Sequence, residues 1–420
     1  MTTYTAFPLR LVTRAEFRSL CETLWDWSPD ACRHGGACTL STLNPRPPPC
    51  HRGSLEQLEL VFFDFYRETT SSYVTDFFGD EHQALRSHQD LFDIISTLKS
   101  NHQKLIRKEC QAMYFAARSS DDRETTIPIA DQERAFNLAA TVMTMVKTLG
   151  SEDGNNMSAT AGYYEEQEHG QRVNRAPFIW NPDQTLQTAL LETFPTRLHP
   201  SLQDGNADAD TILSNLTAVN LARIAKLKFE HTNDLRDHLR LNPVSGIVQI
   251  FSLTSVLKEH LLASKRMILD SDEHDDFYFP RFLALETLYT FRLLFPQDEK
   301  SQALLRNLVA KHDFDPDCLR FGTAPFELQS TDERQRAAQF PVWGSRLMDL
   351  YDEIENPKPR GMLDAWLERR SKSRHVMMAT IVGVSVAIVL GILSLGVSCF
   401  QAWISWQEWK GQSPPGPVAP

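Results

Sequence analysis

Residues 375–410 read HVMMATIVGVSVAIVLGILSLGVSCFQAWISWQEWK, and no Asp, Glu, Lys or Arg stands between Arg374 and Glu408. From Met377 to Phe400 the run is almost wholly Val, Ile, Leu, Ala, Met, Ser and Gly. At ~1.5 Å per helical residue this stretch measures roughly 36 Å, enough to cross a hydrocarbon core ~30 Å thick. A helix buried in a globular core rarely stays uncharged for so long, so 376–404 is expected to be a transmembrane helix. Trp366 upstream and Trp403, Trp406 and Trp409 downstream suit the headgroup zone, where amphipathic indoles gather. The span decides the layout: a body ahead of it, and a short Trp- and Pro-containing tail, 405–420, behind it.

Lys358, Arg360, Arg369, Arg370, Lys372 and Arg374 precede the span, and Lys410 alone follows it. Basic residues are retained on the cytosolic side, so the body is expected to be cytosolic and the chain single-pass. The N-terminal MTTYTAFPLRLVTR lacks the apolar core of a secretory signal, and a span so near the last residue implies tail-anchored insertion. The organelle is not encoded in any of these features. The acceptor triplets at Asn156 and Asn215 test the orientation, because a glycan on either would reverse it. Inside the span, Ala379, Gly383, Ala387 and Gly391 recur every four residues on one stripe. A ridge of small side chains lets two membrane helices approach, so a homodimer through this stripe is expected as a partner state beside the bilayer itself.

The body is long enough for a large core, with 420 residues in all, 42% hydrophobic and 23% charged. A net charge of −11 argues against nucleic acid as a partner, which calls for a basic face. Residues 1–53 form an irregular region rich in Cys and Pro. Between 54 and 150, SLEQLELVFFDFYRET, HQDLFDIISTLK, HQKLIRKECQAMYFAAR and DQERAFNLAATVMTMVKTLG show apolar residues at helical spacing. Ser54 with Gln57 has the form of a capping box, and Asp131 that of a helix cap. Residues 151–176 are polar and aperiodic and are expected to be a flexible loop. Within 177–357, LKFEHT and GIVQIF are strand candidates able to pair as a short hairpin, among further helices such as PRFLALETLYTFRLLFP. Residues 358–375 are a basic juxtamembrane segment. The expected fold class is mostly α: an irregular multi-helix body with at most a small two-stranded β element, plus one C-terminal transmembrane helix.

Five blocks, LWDWSPDAC, FFDFYRETTSSYV, LARIAKLKFEHTNDLRDHLRL, FYFPRFLALETLYTFRLLFP and PRGMLDAWLERRSKSR with the span, resemble a large set of fungal proteins. That set carries an H/W-T-x-N/D-L-x-D-H-L stretch and an L-P-R-x-L-x-L-E-T-L helix ahead of one C-terminal membrane helix. His231 stands where the set usually has Trp, and Phe279 where it has Leu. The resemblance implies a layout and lends no activity, cofactor or catalytic residue.

Two constellations carry candidate chemistry. In HTNDLRDHL, a helix capped by Thr232 or Asn233 would place Asp234 and His238 one turn apart, with His231 just upstream and Asp237 adjacent. Carboxylate and imidazole at that spacing suit a shared metal or an oriented base. The same residues also suit a capped first turn with no ligand, the reading favoured on composition alone. Cys32, Cys38, Cys50 and His51, with His34, supply thiolate and imidazole for a zinc ion, although their spacing matches no standard knuckle. Phosphate-loop, dinucleotide-fold, HExxH and GxSxG signatures are absent from the sequence. The leading expectation is therefore a non-enzymatic, membrane-anchored helical protein that shows an interaction surface to a cytosolic protein partner. An enzyme or metal-binding module centred on His231, Asp234 and His238 is the alternative.

Overall fold

The computed structural model describes residues 7–26, 51–74, 83–119, 127–149, 164–168, 171–175, 178–203, 208–270, 277–320, 336–357 and 376–411. They form two compact units, Met1–Pro357 and Lys358–Pro420. The first is mostly helical. Its helices are α1 Arg14–Trp25, α2 His51–Ser71, α3 His88–Asn101, α4 Arg107–Ser119, α5 Ile129–Thr144, α6 Leu186–Thr193, α7 Ala209–Asn215 and α8 Ala218–Arg223. Four more follow: α9 Thr254–Asp270, α10 Arg281–Leu294, α11 Glu299–Lys311 and α12 Gly344–Glu355. Among the described residues, the second unit is one helix, α13, Val376–Gly411.

Local chemistry explains where many of these helices begin. Thr13 and Glu16 close a capping box on α1, with Glu16 Oε2 accepting from the Thr13 amide at 2.7 Å. Residues 14–25, expected as irregular, are therefore a regular helix that buries Phe17, Leu20, Cys21, Leu24 and Trp25. α2 starts three residues before Ser54, so Ser54 lies inside the helix and does not cap it. Pro128 precedes α5, so Asp131 is no cap either. Its buried carboxylate accepts from Tyr73 Oη and the Ala84 amide, each at 2.7 Å, which ties α5 to the end of α2 and the approach to α3. Thr185 caps α6, and Pro280 leads into α10, which ends before Pro296 as the sequence indicates.

The body core is aromatic where α1, α2 and α9 meet. Phe17 and Trp25 each pack on Phe62, with ring centroids 5.8 Å apart in both pairs. Tyr66 donates to His88 Nδ1 at 2.6 Å, and His88 Nε2 bonds the Leu11 carbonyl at 3.1 Å, which fixes the chain entering α1 against α3.

The sheet departs from the expected hairpin. LKFEHT and GIVQIF supply β5 (Lys228–Thr232) and β7 (Ile247–Phe251), but they run parallel, and a third strand, β6 (Arg240–Asn242), pairs antiparallel with β7. The strand order is β5-β7-β6. The second of two chain reversals lies between β6 and β7. Asn242 Oδ1 accepts from the amides of Val244 and Ser245, and Gly246 adopts φ 71°, a left-handed conformation costly for other residues. That turn follows an earlier reversal between β5 and β6, and two reversals leave β7 pointing the same way as β5. Elsewhere, β1 (Thr148–Leu149) pairs parallel with β4 (Phe178–Ile179). Within the stretch expected as a flexible loop, β2 (Tyr164–Glu168) pairs antiparallel with β3 (Gln171–Arg175).

In the second unit, α13 continues through the Trp residues to Gly411, past the expected limit at 404. Residues 381–411 are long and apolar enough to cross a membrane. An added Cβ at Gly383 or Gly391 would meet nothing within 4 Å.

Candidate functional site

The HTNDLRDHL block and the PRFLALETL helix, far apart in sequence, meet in space. β5 ends at Thr232, whose Oγ1 accepts from the Asp234 amide at 3.2 Å. Asp234 then caps a 3-10 turn of only three residues, Leu235–Asp237, by accepting from the Arg236 amide at 3.0 Å. Leu239 follows with φ 59°. Asp234 and His238 thus flank one tight turn and do not stand on successive turns of an α-helix, as the sequence spacing had suggested.

Asp234, Asp237 and His238 are each otherwise engaged. Asp234 forms an ion pair with Arg236 at 2.8 Å, and Asp237 one with Arg240 at 3.1 Å. His238 is fully buried. Its Nδ1 accepts from the Phe251 amide at 3.2 Å, which requires the proton on Nε2, and Nε2 lies 2.7 Å from Thr290 Oγ1. Thr290 Oγ1 in turn donates to the Thr287 carbonyl at 2.7 Å. Burial, reinforced by the nearby Arg346 charge, holds the imidazole well below its ordinary pKa, so it stays neutral. With both nitrogens committed, His238 has no lone pair for a metal and no free position as a base. His231 sits in β5 opposite Ile250, and its buried Nδ1 finds no partner among the described residues. Among the described residues, no group of three or more His, Cys, Asp or Glu could hold a metal. Cys32, Cys38 and Cys50 lie outside the described residues, as does the His51 side chain.

What these residues build is a polar clamp around Trp343. The indole meets His238 edge-on at 4.9 Å and Phe194 at 5.8 Å, and its Nε1 donates to Thr287 Oγ1 at 3.0 Å. Arg346, one turn into α12, donates to the carbonyls of Arg236 (2.7 Å) and His238, and its guanidinium lies 5.1 Å from the Trp343 ring. Glu286 closes the clamp from α10. Its Oε1 accepts from the amides of Val342 (2.8 Å) and Trp343 (2.6 Å). Burial pushes this carboxyl up to about 8 against the pull of those two amides. Sequence reading missed Glu286, although one acidic residue inside FLALETL, between Leu285 and Leu288, was a signal open to it.

A second buried imidazole escaped the sequence reading. His260 of α9 lies flat against Phe279, ring centroids 4.5 Å apart and planes 7° off parallel. Its Nδ1 accepts from Trp25 Nε1 at 3.2 Å, which leaves the proton on Nε2, without a partner among the described residues.

By architecture the chain is a helical body joined to one helix able to cross a membrane. No protein-family model matches it, and comparison with curated proteins and with solved structures finds no match.

Proposed function

We propose that the chain is a single-pass membrane protein whose helical body is held at the cytosolic face and serves there as an interaction surface. The observation that carries this reading is α13. Its candidate span covers 31 residues, and its apolar side chains from Ile381 to Phe400 are exposed. In a protein left in water, such a surface would be an aggregation hazard; in a bilayer it is satisfied. Orientation rests on the six basic residues from Lys358 to Arg374 against Lys410 beyond the span. Each basic residue near an anionic leaflet contributes about 1 kcal/mol to holding that end in place. Beyond the apolar run, Lys410 Nζ lies 4.0 Å from the Trp406 ring centroid, a pairing of cation and indole suited to the headgroup layer.

An enzyme or metal module centred on His231, Asp234 and His238 draws no support from the geometry, because Asp234 is spent on Arg236 and both nitrogens of His238 are spent on Phe251 and Thr290. Two measurements on membranes from expressing cells test the proposal. The full chain is expected to stay in the pellet after carbonate washing, and protease added to sealed vesicles whose cytosolic face is outward is expected to digest the body. Extraction by carbonate would remove the anchor, and a protected body would invert the orientation.

A further inference from the structure

Glu286 is 1% exposed, and its two oxygens are in unlike surroundings. Oε1 holds both amides at the entry to α12, while Oε2 meets no hydrogen-bond partner and no cation among the described residues. A carboxylate buried without a countercharge is far costlier than a buried neutral acid, so this geometry alone keeps a proton on Glu286 near neutrality. From these contacts we infer that Glu286 is a proton-dependent clasp: in its neutral form it holds the turn at Val342–Trp343 and the start of α12 against α10, and loss of the proton loosens that hold. The element it controls is the last described helix of the body, and the chain beyond it runs through the basic segment 358–375 into α13. A clasp there regulates how firmly the body's final helix is seated ahead of the membrane segment.

The ionisation of Glu286, raised by burial to about 8, lies within reach of alkaline compartments. Other charged or titratable groups packed around the turn are few. Arg346 on α12 reaches over Trp343 toward the carbonyls of Arg236 and His238. His238 approaches from the 3-10 turn and is held neutral by burial. Arg197 and His199 approach from the segment after α6: the Arg197 amide bonds the Pro341 carbonyl at 2.7 Å, and the His199 Cβ would stand 3.5 Å from a Cβ added at Gly344. On α10, Glu286 itself is the acidic group facing the turn.

The test is hydrogen exchange, read by mass spectrometry on the full chain in lipid nanodiscs, with intrinsic exchange rates corrected for pH. In the native chain, protection of amides 342–347 is expected to fall as pH rises from about 5 toward 8, approaching tenfold per pH unit, and to level off above 8, where the carboxyl is ionised in the closed state too. Glu286→Gln keeps an acceptor for both amides and has nothing to titrate, so its protection should hold steady across the same range. Equal pH dependence in both chains would overturn the clasp. A second measurement does not depend on how well the variant folds: the native chain should show the infrared carbonyl band of a protonated carboxylic acid at pH 7, lost on raising the pH to 9.5. If no such band is present at pH 7, Glu286 is ionised in its site and the inference fails.

Discussion

Acid should unfold this body through its histidines, and His260 gives the sharpest forecast. The ring is fully buried, its Nδ1 is occupied by the Trp25 indole N–H, and burial, with the Lys99 charge adding to it, pushes its pKa down to about 3. In the unfolded chain the same imidazole titrates near 6.5. Below that pH the unfolded state takes up a proton that the folded state refuses. Stability from this group is therefore complete above pH 6.5 and is lost progressively as pH falls toward 3. The gap is about 3.5 pH units, equivalent to about 5 kcal/mol in full and about 1.4 kcal/mol per unit. A domain of ordinary stability, about 5–15 kcal/mol, loses much of its margin over that range, and His238 acts in the same direction. The perturbation is His260→Gln, which keeps an acceptor for Trp25 and cannot be protonated. His260→Phe is the second variant, keeping a flat ring against Phe279 at the expense of the Trp25 bond. Urea unfolding of the full chain in detergent, followed by tryptophan fluorescence between pH 7 and 4.5, gives the free energies. Both variants should lose stability about 1.4 kcal/mol per pH unit less steeply than the native chain below pH 6.5, whatever their offset at neutral pH. Parallel pH profiles would show that His260 is not held neutral, and the reasoning about its enclosure would be wrong.

Truncating His238 to Ala should destabilise by about 3–5 kcal/mol in the same assay, because it empties a packed ring site and strands the Phe251 amide. Near-normal stability would show that the imidazole does not complete the sheet. Asp131→Ala removes the acceptor shared by Tyr73 and the Ala84 amide and should cost about 2–4 kcal/mol, with Asp131→Asn recovering part of it. Metal analysis of the purified full chain should show no content that depends on His238; zinc lost on substituting Cys38 and Cys50 would place a site in the N-terminal segment, whereas metal lost with His238→Ala would overturn its assignment. If the stripe at Ala379, Gly383, Ala387 and Gly391 pairs two copies, Gly383→Leu with Gly391→Leu should abolish self-association of the span in a membrane two-hybrid assay, and unchanged association would exclude that face.

The helices were legible because their signals are local. Thr185 and Pro280 mark starts that the chain uses, and the apolar spacing in HQDLFDIISTLK and FLALETLYTFRLL needs no distant partner to be read. Starts went wrong where a cap-like residue was recruited elsewhere: Asp131 looks like a cap but is taken by Tyr73, 58 residues away in sequence. Strand direction was hidden for a related reason. Alternation marks LKFEHT and GIVQIF as strands, but whether they run parallel depends on how many times the chain reverses between them, here once before β6 and once at the turn that Asn242 and Gly246 make. The apolar C-terminal helix was the most legible element, since its signal is length and lack of charge within one segment.

At the candidate site the expected α-helix gives way to a 3-10 turn. Asp234 and His238 are four apart, and on an α-helix they would share a face. Asp234 instead turns its carboxylate onto the Arg236 amide, and the helix never extends beyond Asp237. His238 is then carried to the side of the sheet where β6 has run out. β6 pairs with Ile247, Val248 and Gln249 but not with Phe251, and the imidazole Nδ1 accepts the amide left over. Glu286 does the same for the two amides before α12, which lie too early to bond within the helix. His238 and Glu286 thus stand in for missing main-chain partners, one at a strand end and one at a helix entry. A buried amide must be paired somewhere, and short side-chain spacing in the sequence carries no information about which distant amide that will be. In a helical body with a three-residue strand and abrupt turns, such amides are numerous, and polar side chains in apolar blocks are the groups available to meet them. If the body serves as an interaction surface, that surface lies on its outside, with His238, Glu286 and Trp343 buried behind it.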